Sequence, residues 1–306
     1  MRFLNIQTDY AFKKVFGSRE SKNILISFLN AILELPLLIE DLSIEDPYNV
    51  PKLIGMKESA VDVKATLSDK SIVIIEMQIL NHDGFESRIL YNTAKNYANQ
   101  LDRSDRYSLL NPVIALTIVN FKMFEFEKYK STFKLFEKEH FTAYKDDIQL
   151  VFIELPKFTK HIEECESIEE KWIAFIKEAR DMSMIPASIK DLSLKQAFEI
   201  ANTAKLSKEE LDIQEKREEF LFIQKSSIEK AKREGREQGM SEGIEQGIEK
   251  GIEKGIEKGI EQGREKERNE LIINAYRNGT PTHIIGSFVN MSEEEIIELL
   301  GKVNNL

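Results

Sequence analysis

Cysteine is scarce in this chain, which has one, Cys165, in 306 residues. A single thiol excludes an internal disulfide framework and a CxxC zinc site, and it points to a reducing, cytoplasmic setting. The four histidines, His82, His140, His161 and His283, are far apart, so a histidine-rich metal cluster is not expected. No run approaches the roughly 18 apolar residues of a membrane helix. The first residues, MRFLNIQTDYAFKK, carry a charged amphipathic pattern in place of a secretory h-region. Positive charge is also short: 43 basic residues against 53 acidic ones give a formal net charge of −10. The molecule as a whole does not attract nucleic acid, so any such contact needs a local basic patch. Missing too are GxGxxG, P-loop, GxSxG and HExxH patterns, which leaves nucleotide hydrolysis, serine esterase and zinc protease chemistry without a foothold.

What is present is an ordinary globular composition, 42% hydrophobic and 31% charged. The length suits about two domains and a real core. Residues 1–160 alternate in character. Phe12, Val15, Phe16, Leu25, Phe28, Leu29 and Ile32 recur at helix spacing, with an interruption at Gly17-Ser18 and a stop at Pro36. Strand-like runs follow at 41–45, 60–67 and 71–80, then a helix over 85–101 with Ile89, Asn92, Ala94, Tyr97 and Leu101 on or beside one face. Two further apolar runs occupy 113–120 and 148–155. The order α-β-β-β-α-β-β predicts an α/β domain with a mixed sheet. Residues 161–234 read as a helical extension, packed on that domain or leading away from it. Ser167 with Glu170 and Ser207 with Glu210 form capping-box signatures.

From Gly235 to Gly263 a glycine recurs every fourth residue, mostly as Gly-Ile-Glu-Lys or Gly-Ile-Glu-Gln. A four-residue period in a helix makes a glycine stripe that drifts about 40° per repeat. Each glycine costs about 1 kcal/mol against alanine, and the Lys-Glu i,i+3 pairs return only a few tenths each. Residues 235–268 are therefore a repeat-expanded helical spacer, or a self-association seam in which glycines let backbones approach and isoleucines fill the gap. The tail, 269–306, is helix–turn–helix-like, with Ser292 and Glu295 capping its last helix. Ser292-Glu293-Glu294-Glu295 would bring three carboxylates to phosphates with the wrong sign, which favours a docking or oligomer module over DNA reading.

Chemistry concentrates in AVDVKATLSDKSIVIIEMQI, residues 60–79. Two alternating segments flank Ser68-Asp69-Lys70, which suits a three-residue hairpin loop. Residues whose numbers sum to 138 then face each other. Val61, Val63, Ala65 and Leu67 share an apolar face with Val73, Ile75, Met77 and Ile79, and that face must be core. The other face sets Asp62 opposite Glu76, with Lys64 and Gln78 nearby. Two opposed carboxylates repel, and oxygen donors of this kind suit Mg²⁺ or Mn²⁺. A solvated face with Lys64 neutralising both acids is the alternative.

Asp62 followed by Glu76-Met77-Gln78 on the next strand, after a helix carrying Asp9-Tyr-Ala-Phe-Lys13, resembles the PD-(D/E)XK nucleases. More narrowly it resembles the recombination-promoting nuclease or "nuclease family transposase" branch, in which glutamine replaces the usual lysine. Arg88-Ile-Leu-Tyr91, Tyr97, the Gly-Ile-Glu repeats and the short helical tail extend the likeness over nearly the whole chain. It implies a restriction-endonuclease-like mixed sheet flanked by helices, followed by an all-helical C-terminal extension. It also implies a Mg²⁺-dependent DNA endonuclease that cuts by water attack and serves recombination of mobile elements or defence against foreign DNA. A catalytically weak DNA-binding or oligomerisation adaptor of the same fold is the alternative, and a homo-oligomer would form through the repeat or the tail.

The resemblance implies that Asp62, Glu76 and the Met77 carbonyl hold the metal and that Gln78 orients the water or a phosphate oxygen. Asp9 reaches the metal through water or is a helix N-cap. Lys64 is positioned, on our own reading, to replace the missing lysine charge. Arg88, Tyr91 and Lys95 share one helix face. Arg88, Tyr91 and Lys13 are the candidate DNA contacts, with Arg88 alternatively a structural partner of an acid and Lys13 a solvated charge.

Overall fold

The computed structural model describes residues 2–49 and 59–304. Its compact units are residues 1–225 and 226–306.

Hydrophobic spacing builds the first layer. Phe12, Val15 and Phe16 line the buried face of α1 (Asp9–Phe16), and Ile24, Leu25, Phe28, Leu29 and Ile32 line that of α2 (Lys22–Ile32). Gly17 caps α1 where a Cβ would meet the Lys13 carbonyl at 2.9 Å, so the expected interruption falls there. The strands are β1 (Leu42–Glu45), β2 (Tyr48–Asn49), β3 (Ser59–Ala60), β4 (Val63–Leu67), β5 (Ile72–Gln78), β6 (Val113–Val119), β7 (Lys130–Phe133) and β8 (Ile148–Glu154). Six of them form a mixed sheet in the order β1-β4-β5-β6-β8-β7, parallel only between β5 and β6 and between β6 and β8. The continuous apolar run of β6 is buried throughout, as a central parallel strand requires. The edge strand β7, Lys-Ser-Thr-Phe, is polar and half exposed and gives no apolar signal in the sequence.

Helices cover both faces. On one side α3 (Phe85–Ala98) lays Phe85 and Ile89 over Ile72, Ile74, Val113, Ala115 and Phe152. Ile89 and Asn92 are buried as expected and Tyr97 packs beside them, whereas Ala94 is exposed and Leu101 lies beyond the helix end, and Thr93 and Asn96 complete the buried face. On the other side Val63, Ala65, Val73, Ile75, Leu116 and Ile153 meet α1, α2, α4 (Ile168–Glu178) and α5 (Leu192–Ala201). The stretch expected as an extension after residue 160 thus supplies Trp172, Phe175 and Phe198 to the central core. Trp172 stacks edge-on with Phe28 at 5.7 Å, and Phe175 with Phe198 at 4.6 Å.

The hairpin has the expected register, with Val63 opposite Ile75 through Thr66 opposite Ile72, closed by a loop with Lys70 at φ 70°. It departs from expectation at Asp62. The ladder stops at Val63, and the Asp62 N–H donates to the Ile75 carbonyl at 3.0 Å, so two residues lie opposite one. This bend turns Val61 to the α3 side, away from the face it was expected to share with Val63.

The Ser207–Glu210 box starts α6 (Lys208–Arg277), whose later part belongs to the second unit. Apart from the helix's own backbone, nothing among the described residues of that unit lies within 4 Å of where a Cβ would stand on any repeat glycine, and Ile244, Ile248, Ile252, Ile256 and Ile260 are exposed. Ile272 packs with Ile285 of α7 (Thr282–Val289) and with Ile296 and Leu300 of α8 (Glu293–Asn304) as a small core. The last two residues of the tail lie outside the described residues.

Candidate active site

Thr8 starts α1, its hydroxyl accepting the Ala11 N–H at 3.3 Å. Thr8 therefore takes the N-cap place considered for Asp9, which stands in the first turn. With Phe12 and Phe16 inward, Asp9 and Lys13 fall one turn apart on the outer side. Lys13 Nζ lies 3.4 Å from Asp62 Oδ1, while Arg217 Nη2 of α6 lies 3.3 Å from Asp9 Oδ2. The start of α6 is clamped to α1 at three further points. Gln214 Oε1 accepts the Thr8 hydroxyl at 3.0 Å, and Glu210 Oε1 accepts the Tyr10 hydroxyl at 3.0 Å and pairs with Lys14. These contacts hold the Glu210 carboxyl down at about 2.

The bend at Asp62 aims its carboxylate along β5, where Oδ2 accepts the Met77 N–H at 2.8 Å. Glu76, the preceding residue, alternates with the inward Met77 side chain and points with Ile72 and Ile74 to the α3 side. Burial raises the Asp62 carboxyl above the ordinary range, against the pull of the Met77 N–H and the Lys13 charge. Burial also raises Glu76; Arg88 opposes that shift and the charge of Asp62 adds to it. The two acids therefore act on each other, although they do not form the facing ladder pair that alternation predicts.

Gly84, at φ 77°, lets the chain turn from β5 into α3. One turn on, Arg88 Nη2 contacts Glu76 Oε1 and donates to Gln78 Oε1 at 3.1 Å. The Gln78 amide donates to the Leu80 carbonyl at 2.8 Å, and the guanidinium lies over the Phe85 ring at 5.2 Å. Arg88 Nε is buried without a hydrogen-bond partner.

Of the other expected residues, Lys64 is turned to Glu45 on β1, 3.1 Å away, so its charge is committed at the sheet edge. Tyr91 is exposed, with Lys95 Nζ 5.9 Å from its ring centre, and Lys95 itself is buried. Sequence reasoning passed over Arg217 and His82. His82 lies in the β5–α3 turn, edge-on to the Phe85 ring at 5.6 Å. Its place four residues after Gln78 was the available signal, whereas nothing in the sequence ties Arg217 to Asp9.

In its chemistry the donor set fits a hard divalent cation, which takes oxygen ligands such as the carboxylates of Asp62 and Glu76. Among the described residues, one group of three His/Cys/Asp/Glu side chains has ligating atoms within 4.8 Å of each other, Glu137, Glu139 and His140, all exposed. There the Glu137 carboxylate accepts the N–H groups of the other two, at 3.0 and 2.6 Å, as a turn would require.

A six-stranded mixed sheet between helices, with two acids at one hairpin, is consistent with the PD-(D/E)XK nuclease fold. Residues 6–231 match the family described as PD-(D/E)XK nuclease family transposase, and the chain belongs to that family. Nucleases of this kind usually use divalent metals. No curated protein and no solved structure matches the chain. No helix among the described residues is long and apolar enough to cross a membrane.

Proposed function

We propose that this protein is a Mg²⁺-dependent DNA endonuclease, with Mn²⁺ able to substitute, acting in recombination of mobile elements or defence against foreign DNA. One observation carries the reading: the chain bends at Asp62 so that its carboxylate accepts the N–H of Met77, the residue after Glu76. Two largely buried, like-charged acids are costly in themselves and useful around a cation. Asp62, Glu76 and the Met77 carbonyl would hold the ion, which activates water and offsets charge on the phosphate being cut. The chain's own part is to set these oxygens, to hold the phosphates with Lys13, Arg88 and Tyr91, and to orient the Gln78 amide. Hydrolysis leaves a 3′ hydroxyl. Arg88 supplies a positive charge beside Gln78, where the usual lysine would stand, while Asp9 lies within electrostatic reach of Asp62.

A second reading, a DNA-binding adaptor with little turnover, is favoured by Gln78 itself, whose amide oxygen is held by Arg88. Nicking of supercoiled plasmid in Mg²⁺ separates the two. The endonuclease reading expects nicking by the wild type and its loss in Asp62→Ala and Glu76→Ala; equal nicking by all three proteins removes it.

A further inference from the structure

Each acid at the site holds one basic side chain: Asp62 holds Lys13 at 3.4 Å, Glu76 holds Arg88, and Asp9 holds Arg217 at 3.3 Å. In two of the pairs the acid is the more enclosed member, Asp62 and Glu76 being each 13% exposed against 41% and 37% for Lys13 and Arg88, while Asp9 and Arg217 are both open, at 42% and 53%. A phosphate arriving from solvent can thus reach the cations without dismantling the fold. The pair Lys157–Glu154, 6% and 1% exposed, shows the sealed alternative: Lys157 is also bound by the Phe124 and Phe126 carbonyls, and Glu154 by the Met123 N–H. Arg88 has only Nη2 engaged by the acid and the amide, and its Nε has no partner.

We propose that Lys13, Arg88 and Arg217 form one phosphate-binding set and that Asp62, Glu76 and Asp9 compete with DNA for it. Arg217 brings the C-terminal helix into this set, so the DNA surface is incomplete without α6. In a chain of net charge −10, such internal neutralisation keeps the rim from attracting polyanions while the acids hold their cations. The inference rests on the nuclease reading for its partner. Because the acids are also the proposed metal ligands, occupying them would release the same cations toward the backbone of the DNA.

The test is fluorescence anisotropy of a labelled DNA duplex with the full-length protein in EDTA, across a salt series. Asp62→Asn, Glu76→Gln and Asp9→Asn should each bind severalfold more tightly than wild type. The slope of log affinity against log salt should steepen by about 0.9 for each additional phosphate that the freed cation neutralises. Removing an acid also weakens general repulsion, so each change is repeated without its partner. In Lys13→Ala, Arg88→Ala and Arg217→Ala backgrounds, respectively, the tightening should vanish. Circular dichroism melts confirm that the proteins compared are folded. Unchanged or weaker binding by the acid variants, or tightening that persists without the partner cation, overturns the proposal. The readout needs no turnover: tighter binding with no plasmid nicking would sink the endonuclease reading alone, and nicking without tighter binding would sink the competition alone.

Discussion

The Met77 N–H donates to Asp62 Oδ2 at 2.8 Å, tying a bend before β4 to the strand that carries Glu76 and Gln78. A side chain that caps a neighbouring strand in this way is fixed in direction, which is what a metal ligand on a short segment needs.

That placement predicts a conflict between stability and activity. Burial raises the folded pKa of Asp62 and Glu76 above their ordinary values of 3.8 and 4.5. The folded chain therefore binds these protons more tightly than the unfolded one. Their contribution is full below the ordinary carboxylate range and is lost as pH rises through the folded values. Asp62→Asn and Glu76→Gln, which keep an acceptor for Met77 or Arg88, should raise the metal-free melting temperature at pH 7 by a few degrees, each kcal/mol giving roughly 2–4 °C at this size. Their advantage over wild type should shrink toward acid pH. Thermal melts across pH check both the direction and the window.

Arg88 is a second point of leverage, since one guanidinium nitrogen serves Glu76 and Gln78 with its two N–H groups. Arg88→Ala leaves a largely buried carboxylate without its cation and should cost about 1–3 kcal/mol in urea unfolding. Arg88→Lys should recover only part of this, because an ammonium is a point charge and not a fork. Adding Glu76→Gln to Arg88→Ala should recover most of it.

The core makes the folding unit longer than residues 1–160. Trp172 is fully buried against Phe16 of α1 and Phe28 of α2, and Phe175 and Phe198 are fully buried beside it in the same core. Removing even two such side chains costs roughly 3–5 kcal/mol each, comparable with the total stability of a domain. A fragment ending at 160 should show no cooperative unfolding transition, whereas residues 1–225 should unfold cooperatively and retain nicking.

In the repeat, alanine at Gly247, Gly251 and Gly255 meets open space. Helicity should rise, with a stabilisation of about 1 kcal/mol per site, while nicking stays unchanged. Under the spacer reading the sedimenting mass also stays unchanged, and a fall in mass would place the glycines in a helix–helix seam.

The hairpin register was legible because side chains alternate strictly along Val63–Leu67 and Ile72–Gln78 and the loop between them is short. The helix starts at Ser167, Ser207 and Ser292 were legible as well, each making its cap bonds. The bend at Asp62 was not, for no glycine or proline marks it; it comes from the carboxylate's bond to Met77. Nor could spacing tell which sheet face Trp172 would cover, or that Arg217 would meet Asp9 from a distant part of the chain. Those are tertiary facts with no local signature.

The metal site is the claim on which the rest turns, and calorimetric titration of the full-length protein with Mn²⁺ tests it most directly. The account predicts saturable binding by the wild type that disappears in Asp62→Asn and in Glu76→Gln while both variants remain folded. Binding that is unchanged in both variants, or absent from the wild type, would contradict it.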